Sequence, residues 1–460
     1  MKKNIKNFVV RRNNLHKYIP DTNKDVKKML DFLQIDKVSN LFNDVPKELK
    51  LKKDLNLEDG KFELSVERKI KKIAKNNLST EDLTCFLGAG AYDHFIPSVV
   101  NNLASRSEFY TSYTPYQAEI SQGTLRAIYE YQSMIASLTG LDVSNASLYD
   151  GQTAAAEAAL MAVTVSRKEK ILVSKSVHPD TRKVLKTYLT SQDIQLKEVP
   201  INEGVTDFDK LKDLIDKDTA GVIIQSPNFF GIIEDIEKMT SLTKNKRTLF
   251  IQSTDPLSLG VLKSPGDLGV DIAIGDGQAL GNSLNFGGPY LGFISTKKKY
   301  VRKLPGRIVG QTIDSEKNRA YTLTLQTREQ HIRRERATSN ICSNHGLNAL
   351  MATIYLSTIG KKGLKEIGRQ CILKANETYE KILEIDGFEP VFDKPFFKEF
   401  SIKSEISVEK INKKLLDNNI LGGYDLGKDY KELKNTSLYC VTEKRTKKEI
   451  QNLVDCLEVM

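Results

Sequence analysis

The chain has 460 residues, of which 40% are hydrophobic and 28% charged, a composition typical of a soluble globular protein with about two or three domains. Its 69 Lys and Arg exceed its 59 Asp and Glu, but the lysines are scattered, which disfavours a nucleic-acid-binding protein. The five cysteines lie far apart without a Cys-x-x-Cys pair, and no run of about 18 apolar residues occurs. We therefore expect a cytoplasmic protein in a reducing compartment, with no membrane span.

The first 83 residues are charged and helix-prone. Apolar residues recur there at helical spacing between charged ones, at Val26, Met29, Leu30 and Leu33. This pattern predicts an N-terminal helical arm over residues 1–83 rather than a separate domain.

Residues 84–335 alternate between strand and helix patterns. Strands are predicted over 170–174, 196–199, 221–224, 248–251, 270–274 and 290–294, and helices over 117–139, 181–189, 207–216 and 236–244. Such alternation predicts a largely parallel, helix-covered sheet, the architecture of a large doubly wound α/β domain.

Residues 336–460 are predicted to form a connecting helix and a smaller domain. The helix runs through Ala349, Ile354 and Leu364. Beyond it, strands are predicted near 396–402 and 438–442, and helices near 408–418 and 447–457. We therefore predict an α/β fold in which a large doubly wound domain is followed by a small α+β C-terminal domain.

Two segments have the composition of an anion site. Residues 149–153 form a glycine turn before an alanine-rich helix, and the free N–H groups of such a turn can receive a phosphate. A basic cluster, Arg328, His331, Arg333, Arg334 and Arg336, precedes Thr338 and Ser339. It suits an anion, including a phosphate held across a subunit boundary, but a salt-bridged surface segment would have the same composition.

The sequence gives little support for a metal site or for a serine nucleophile. The five histidines, His16, His94, His178, His331 and His345, show no metal-ligand spacing and no grouping with cysteines, so we expect no metal site. A Gly-x-Ser-x-Gly nucleophile motif is absent from the sequence. Tyr110, Tyr113 and Tyr116 either line a pocket or pack an interface.

The segment 264–296 reads strand, turn, strand, and it stands where a pyridoxal-phosphate enzyme would carry its Schiff-base lysine. It contains no lysine, and Gln278 follows Gly275, Asp276 and Gly277 at the expected position. A carboxamide nitrogen is not a nucleophile for an aldehyde. We therefore expect that this chain does not hold the cofactor covalently and is inactive in isolation.

Four motifs, residues 86–94, 114–123, 275–278 and 337–342, resemble the glycine dehydrogenase (decarboxylating) of the glycine cleavage system, its P-protein. The resemblance extends from the arm at Tyr18 to Glu443 and implies the aminotransferase-like fold of type I pyridoxal-phosphate enzymes. The two-chain form of this family pairs a lysine-bearing subunit with a lysine-free one. Gln278 and the length make the chain similar to the lysine-free first, or alpha, subunit of an α2β2 assembly.

The resemblance also implies a reaction for the complex. Glycine loses its carboxylate as CO2, and its aminomethylene group passes to the lipoyl arm of the H-protein. The pyridoxal phosphate is held covalently by the lysine-bearing beta subunit. This chain is then a noncatalytic but required subunit, with Gly287, Gly288 and Thr338 as hypothetical contacts across the interface to the cofactor phosphate of the neighbouring subunit.

The sequence does not decide which residue would face the pyridinium nitrogen of the cofactor. Members of the fold place an Asp one strand before the lysine, facing the pyridinium nitrogen, and either Ser253 or Asp255 occupies that position here.

Two other functions compete with this interpretation. One is a catalytically inactive scaffold or regulatory homodimer of the same fold. The other is a free-standing pyridoxal-phosphate enzyme that uses Lys263 or Lys297. Neither lysine suits this role, because Lys263 precedes the strand before the turn and Lys297 follows the next strand.

Overall fold

The computed structural model describes residues 20–53, 55–244, 246–341 and 343–460. Its contacts divide the chain into two units, Met1–Asn77 and Leu78–Met460. His16, Tyr18, Ile19 and Cys342, which enter the sequence interpretation, lie outside the described residues.

The first unit contains the helices α1 (Asn23–Leu33) and α2 (Glu63–Ala74). Helix α1 begins at a capping box, in which Thr22 and Asp25 each accept a hydrogen bond from the other's backbone N–H. No residue of 20–53 and 55–77 is buried. Large apolar side chains are instead exposed, for example Phe32 at 88% and Phe62 at 84%. The described part of this unit therefore has no hydrophobic core of its own.

The second unit carries the strands and the remaining helices. Its strands are β1 (Thr84–Cys85), β2 (Val143–Ser144), β3 (Lys170–Ser174), β4 (Gln195–Val199), β5 (Ile201–Asn202), β6 (Val205–Thr206), β7 (Thr219–Gln225), β8 (Leu249–Ser253), β9 (Ile272–Asp276), β10 (Gly292–Thr296), β11 (Ile308–Ile313), β12 (Arg319–Thr324), β13 (Phe388–Pro390), β14 (Glu399–Ser404), β15 (Ile420–Leu421), β16 (Tyr424–Asp425) and β17 (Thr436–Cys440). Its α-helices are α3 (Ser98–Ala104), α4 (Ser107–Tyr110), α5 (Gln122–Thr139), α6 (Gly151–Ser166), α7 (Pro179–Thr190), α8 (Phe208–Leu214), α9 (Ile236–Thr240), α10 (Gln330–Arg333), α11 (Gly346–Leu383), α12 (Val408–Asp417) and α13 (Lys447–Glu458).

The main sheet has the strand order β2-β10-β9-β8-β7-β3-β4, and β4, β3, β7, β8 and β9 run parallel. Alternate residues of these strands face opposite sides. Ile223 and Ile251 pack with α6 and α7, whereas Val222 and Phe250 pack with α8 and α9. Both faces are therefore buried, and the predicted doubly wound sheet is confirmed.

A smaller antiparallel sheet of order β13-β14-β17-β16 follows the long helix α11. Its apolar face packs against α12, α13 and the second half of α11 in a separate core. The predicted connecting helix and α+β region are present. The boundary at residue 335 stays a prediction, because the contacts join Leu78–Met460 in one unit.

Several predicted boundaries differ from the structure. Helix α5 ends at Thr139, as predicted, but begins at Gln122 rather than at 117. The side chain of Gln122 is hydrogen-bonded to the backbone of Tyr321, which holds the preceding turn in place.

The long helix α11 is bent at Gly360, whose backbone angles are not helical. Among the helices of the described ranges, none is long and apolar enough to cross a membrane.

Candidate functional site

A cavity opens where the parallel strands β7, β8 and β9 end. Residues from the end of each strand, from the start of α6 and from the start of β14 line it: Gly90, Tyr92, Gly151, Gln152, His178, Thr181, Gln225, Pro227, Gly231, Ser253, Thr254, Asp255, Pro256, Asp276, Gln278, Ala279, Phe397, Lys398 and Glu399. Open α/β sheets bind ligands at this edge, the carboxyl ends of their strands. The sequence-predicted Ser253, Asp255 and Gln278 therefore share one site.

Gln278 is fixed by its own hydrogen bonds. Its Nε2 donates to the carbonyls of Tyr92 (3.1 Å) and Asn282 (2.8 Å), and its Oε1 accepts from the Tyr92 N–H (2.9 Å). The residue is 2% exposed. A lysine ammonium has no acceptor and would leave the Tyr92 N–H without this bond. The carboxamide of Gln278 therefore connects the segments of Tyr92 and Asn282 by hydrogen bonds, and it is not a nucleophile.

The start of α6 is occupied by carboxylates. The N–H of Gly151 donates to Asp276 Oδ2 (2.9 Å), and that of Thr153 donates to Asp150 Oδ1 (2.7 Å). Burial raises the pKa of Asp276 to about 6, although it accepts bonds from the backbone of Gly151, Gln278 and Leu291. The phosphate position predicted from residues 149–153 is therefore taken by side chains of this chain.

A buried ammonium lies on the opposite side of the cavity. Lys398 Nζ is 2.5 Å from Asp255 Oδ2, 2.9 Å from His94 Nε2 and 3.4 Å from the centre of the Tyr92 ring. Burial alone would lower the pKa of Lys398, but the Asp255 carboxylate raises it above its ordinary value. The pKa of Asp255 is lowered, because Lys398 outweighs the effect of burial. Lys398 thus remains charged, and a charged amine is not a nucleophile.

His94 links this ion pair to a second carboxylate. Because an ammonium can only donate, His94 Nε2 is the acceptor, and Nδ1–H donates to Glu443 Oε2 (2.6 Å). Ligand atoms of His94, Cys371 and Glu443 lie within 4.8 Å of one another, a grouping that the sequence spacing did not reveal. The adjacent Lys398 ammonium opposes a second cation there, and the histidine nitrogens already have partners.

Glu399 is the third acid of the cavity, after Asp276 and Asp255. It accepts hydrogen bonds from the Ala89 N–H (2.7 Å) and from the Tyr92 hydroxyl (2.8 Å). Burial raises the pKa of Glu399 to about 7. Nearby, His178 Nε2 lies 2.9 Å from the Ala89 carbonyl, and Nδ1 accepts from the Asp180 N–H (3.1 Å), which fixes a neutral tautomer.

Lys263 and Lys297 do not reach the cavity. Lys263 is paired with Glu237 at 3.0 Å, and Lys297 with Asp271 at 2.7 Å. Both line other depressions of the surface. The lysine that does line the cavity, Lys398, was missed by the sequence interpretation. A charged pair within the aromatic run of residues 396–400 was the available signal.

Thr338 and the glycines 287 and 288 lie in different places. Gly287 and Gly288 have φ of 110° and 128° and precede Pro289, whose carbonyl accepts from Asn348 (2.9 Å) in α11. Thr338 lines a separate groove of about 600 Å3 together with basic residues: Arg302, Lys303, Arg328, Arg333 and Arg336. The residues that line the groove do not include Gly287 or Gly288.

The basic groove has few internal counter-ions among the described residues. Arg328 donates to the Gly306 carbonyl through Nη2, while its buried Nη1 has no hydrogen-bond partner in the described chain. Glu157 lies in the groove, but burial raises its pKa to about 7. Glu335 also lines the groove and lies 3.7 Å from Arg336, whereas Glu329 pairs with Arg307 at 3.0 Å. The groove therefore keeps an excess of positive charge.

The three tyrosines of the loop before α5 have different surroundings. Tyr110 and Tyr113 are exposed and line a cavity with the start of α11, and the Tyr116 hydroxyl accepts from Arg307 (2.9 Å).

The fold and the cavity at its strand ends define a type I pyridoxal-phosphate enzyme fold. A C-DES mutant with glycine covalently linked to its pyridoxal-phosphate cofactor superposes with a TM-score of 0.62 over 82% of this chain and 97% of that one. At 14% identity, this likeness concerns the fold alone.

The chain belongs to the glycine cleavage system P-protein family, whose model matches residues 16–457. It is 53% identical to the probable glycine dehydrogenase (decarboxylating) subunit 1 of Carboxydothermus hydrogenoformans, over 96% of this chain and 99% of that protein. The crystal structure of a glycine decarboxylase (P-protein) in inhibitor-bound form is 40% identical and superposes with a TM-score of 0.90 over 96% and 99% of the two chains. The resemblance inferred from the four motifs is confirmed.

Glu399→Gln should flatten the pH dependence of stability. Between pH 4.5 and about 7 the folded chain keeps a proton on Glu399 that the unfolded chain releases, so this group lowers the free energy of unfolding as the pH rises. As the pH rises through this range, the free energy of unfolding of the variant should increase relative to that of the natural chain by up to about 1.4 kcal/mol per pH unit. Urea unfolding at about pH 5 and about pH 7 measures the difference.

The exposed Glu432 gives the matched control, since Glu432→Gln removes the same charge outside the cavity. Parallel pH profiles for Glu399→Gln and the natural chain would contradict a proton held at Glu399.

Proposed function

We propose that this chain is the noncatalytic but required alpha subunit of a glycine decarboxylase of the glycine cleavage system. An α2β2 complex with a lysine-bearing beta subunit decarboxylates glycine in the cytoplasm. The beta subunit holds the pyridoxal phosphate covalently, and the aminomethyl group passes to the lipoylated H-protein. The observation that carries the proposal is Gln278, fixed by three hydrogen bonds where the fold requires a free amine.

Two observations support a partner subunit. The relative from Carboxydothermus hydrogenoformans is named subunit 1, and this chain spans 99% of its length. In addition, residues 20–53 and 55–77 of the arm include no buried residue and expose large apolar side chains: Met29, Phe32, Leu33, Val38, Leu41, Phe42, Leu49, Leu51, Leu55, Leu57, Phe62, Leu64, Val66, Ile70 and Ile73. Exposed apolar surface of this extent is typical of a protein–protein contact.

The basic groove suits an anionic group presented by that partner. Thr338 is exposed at its edge, and Arg328 supplies a buried guanidinium nitrogen without a partner among the described residues. Arginine and threonine together bind a phosphate well. We therefore keep Thr338 as a proposed contact to the partner's cofactor phosphate. Gly287 and Gly288 are proposed as interface positions at a different point, beside the exposed Phe286.

Reconstitution tests the function. The purified chain is mixed with a lysine-bearing partner, the mass of the assembly is measured, and exchange of the glycine carboxyl carbon with labelled bicarbonate is assayed with lipoylated H-protein. We expect exchange by the mixture and by neither chain alone. Exchange by this chain alone would refute its noncatalytic role. A stable homodimer that ignores the partner would favour the scaffold or regulatory alternative.

Thr338→Ala should weaken cofactor binding by the reconstituted complex. A hydrogen bond to a charged group contributes about 1.5–3 kcal/mol, which corresponds to roughly a 10- to 100-fold higher Kd for pyridoxal phosphate. Fluorescence titration of the cofactor into the assembled complex measures this effect, and Thr187→Ala, exposed on α7, is the matched control. Unchanged cofactor affinity and exchange rate, also after Gly288→Ala is added, would remove all three contacts from the proposal.

Phe32→Ala together with Phe62→Ala should weaken assembly with the partner. Both side chains are exposed, so the fold of the chain is expected to persist, whereas burial of one such side chain contributes about 1.5–3 kcal/mol to association. Sedimentation of the mixture should show an affinity reduced by at least about 10-fold. The control, Lys28→Ala with Lys72→Ala, changes exposed polar positions of α1 and α2. Equal affinities for the two double variants would exclude an apolar contact by the arm.

A further inference from the structure

We propose that the cavity of this chain is closed to pyridoxal phosphate by its own side chains, with the Lys398 ammonium in the place of the cofactor's ring cation. The inference deepens the proposed function, on which it rests. A missing Schiff-base lysine would prevent only covalent attachment. The geometry indicates that noncovalent binding is also opposed, because each end of the cavity carries an obstacle to the cofactor.

The first obstacle is the ion pair at the ring end. In enzymes of this fold an acid faces the protonated ring nitrogen and stabilises its charge. Of the two residues that the sequence offers for this position, Ser253 and Asp255, only Asp255 is an acid, and its Oδ2 is already 2.5 Å from Lys398 Nζ. The ammonium also lies 3.4 Å from the centre of the Tyr92 ring and is 2% exposed. A ring cation that approached Asp255 would therefore meet an ammonium instead of a free carboxylate.

The second obstacle is at the phosphate end. A phosphate binds the start of a helix through backbone N–H groups. Here the N–H of Gly151 donates to Asp276 and the N–H of Thr153 donates to Asp150. A phosphate dianion would have to displace these carboxylates and then lie beside them, and like charges at such distances repel.

The small volume of the cavity is a further observation against cofactor binding. The cavity has a volume of ≈ 80 Å3. Pockets for small ligands commonly measure about 300–1,000 Å3. A lysine introduced in place of Gln278 would therefore meet little bound cofactor, and removal of Lys398 as well would relieve the obstacle at the ring end.

The test measures cofactor attachment to the full chain rather than activity. Each variant is incubated with pyridoxal phosphate and reduced with borohydride, and the adduct is located by peptide mass analysis. The natural chain and Gln278→Lys should carry only background label. Gln278→Lys with Lys398→Met should carry at least about 10-fold more, at position 278. The matched control is Gln278→Lys with Lys374→Met, because Lys374 is outside the cavity lining and bonds the Glu443 carbonyl.

Lys398→Met leaves Asp255 buried without a counter-ion, which can unfold the chain. The same comparison is therefore made with Asp255→Asn added, so that both positions become neutral. Equal label in Gln278→Lys and in the variants without Lys398 would overturn the proposal. So would the absence of any gain in both Lys398 variants, or an adduct on Lys398 of the natural chain.

The two proposals fail in distinguishable ways. If Gln278→Lys alone binds the cofactor while the natural mixture of subunits exchanges carboxyl carbon, the cavity argument is wrong and the subunit role stands. If Gln278→Lys stays unlabelled and the mixture shows no exchange, the subunit role is wrong.

Discussion

The arrangement of the cavity depends on the carboxylate of Asp276. Its two oxygens accept N–H groups from Gly151 at the start of α6, from Gln278 in the turn after β9 and from Leu291 before β10. One side chain thus joins a helix, a turn and a strand that are distant in sequence. Its environment leaves little room, since a Cβ on Gly151 would lie 3.2 Å from the Asp276 Cβ. The position and direction of Gln278 follow from this connection.

Burial of so many ionisable groups requires compensation within the chain. An isolated buried carboxylate loses its hydration, and its pKa rises unless hydrogen bonds or opposite charges replace the water. Asp276 is compensated by backbone donors, and Glu399 by two donors with a further contribution from the Lys398 charge, and their pKa values are raised to about 6 and about 7. Asp255 is compensated by a full positive charge, and its pKa is lowered. Direct contact with an ammonium therefore distinguishes Asp255 from the two acids whose hydrogen-bond partners are neutral donors.

The central strands of the sheet could be predicted from the sequence because they are buried on both faces. Residues 171–173 are a continuous apolar run, and β3 has the bounds Lys170–Ser174. Helix ends were less predictable, since the start of α5 depends on a hydrogen bond between Gln122 and Tyr321, 199 positions apart. The same limit applies to the site. Gln278 could be located from its glycine turn, whereas the partners of Lys398 come from the segments of Asp255 and His94, and no local pattern connects them.

Internal compensation also changes what a ligand can do for stability. A cofactor stabilises a fold to the extent that it binds the native state. In a pocket without its cofactor, unpaired buried charges lower the stability of the fold, and binding of the cofactor removes this effect. In this chain Lys398 removes this effect for Asp255, and Asp150 and Asp276 satisfy the start of α6. The charged groups at both ends of the cavity are therefore paired within the chain. Among the described residues, the basic groove keeps an excess of positive charge and residues 20–77 expose apolar side chains. In the proposed subunit role, binding would therefore stabilise this chain through a second protein rather than through a small molecule.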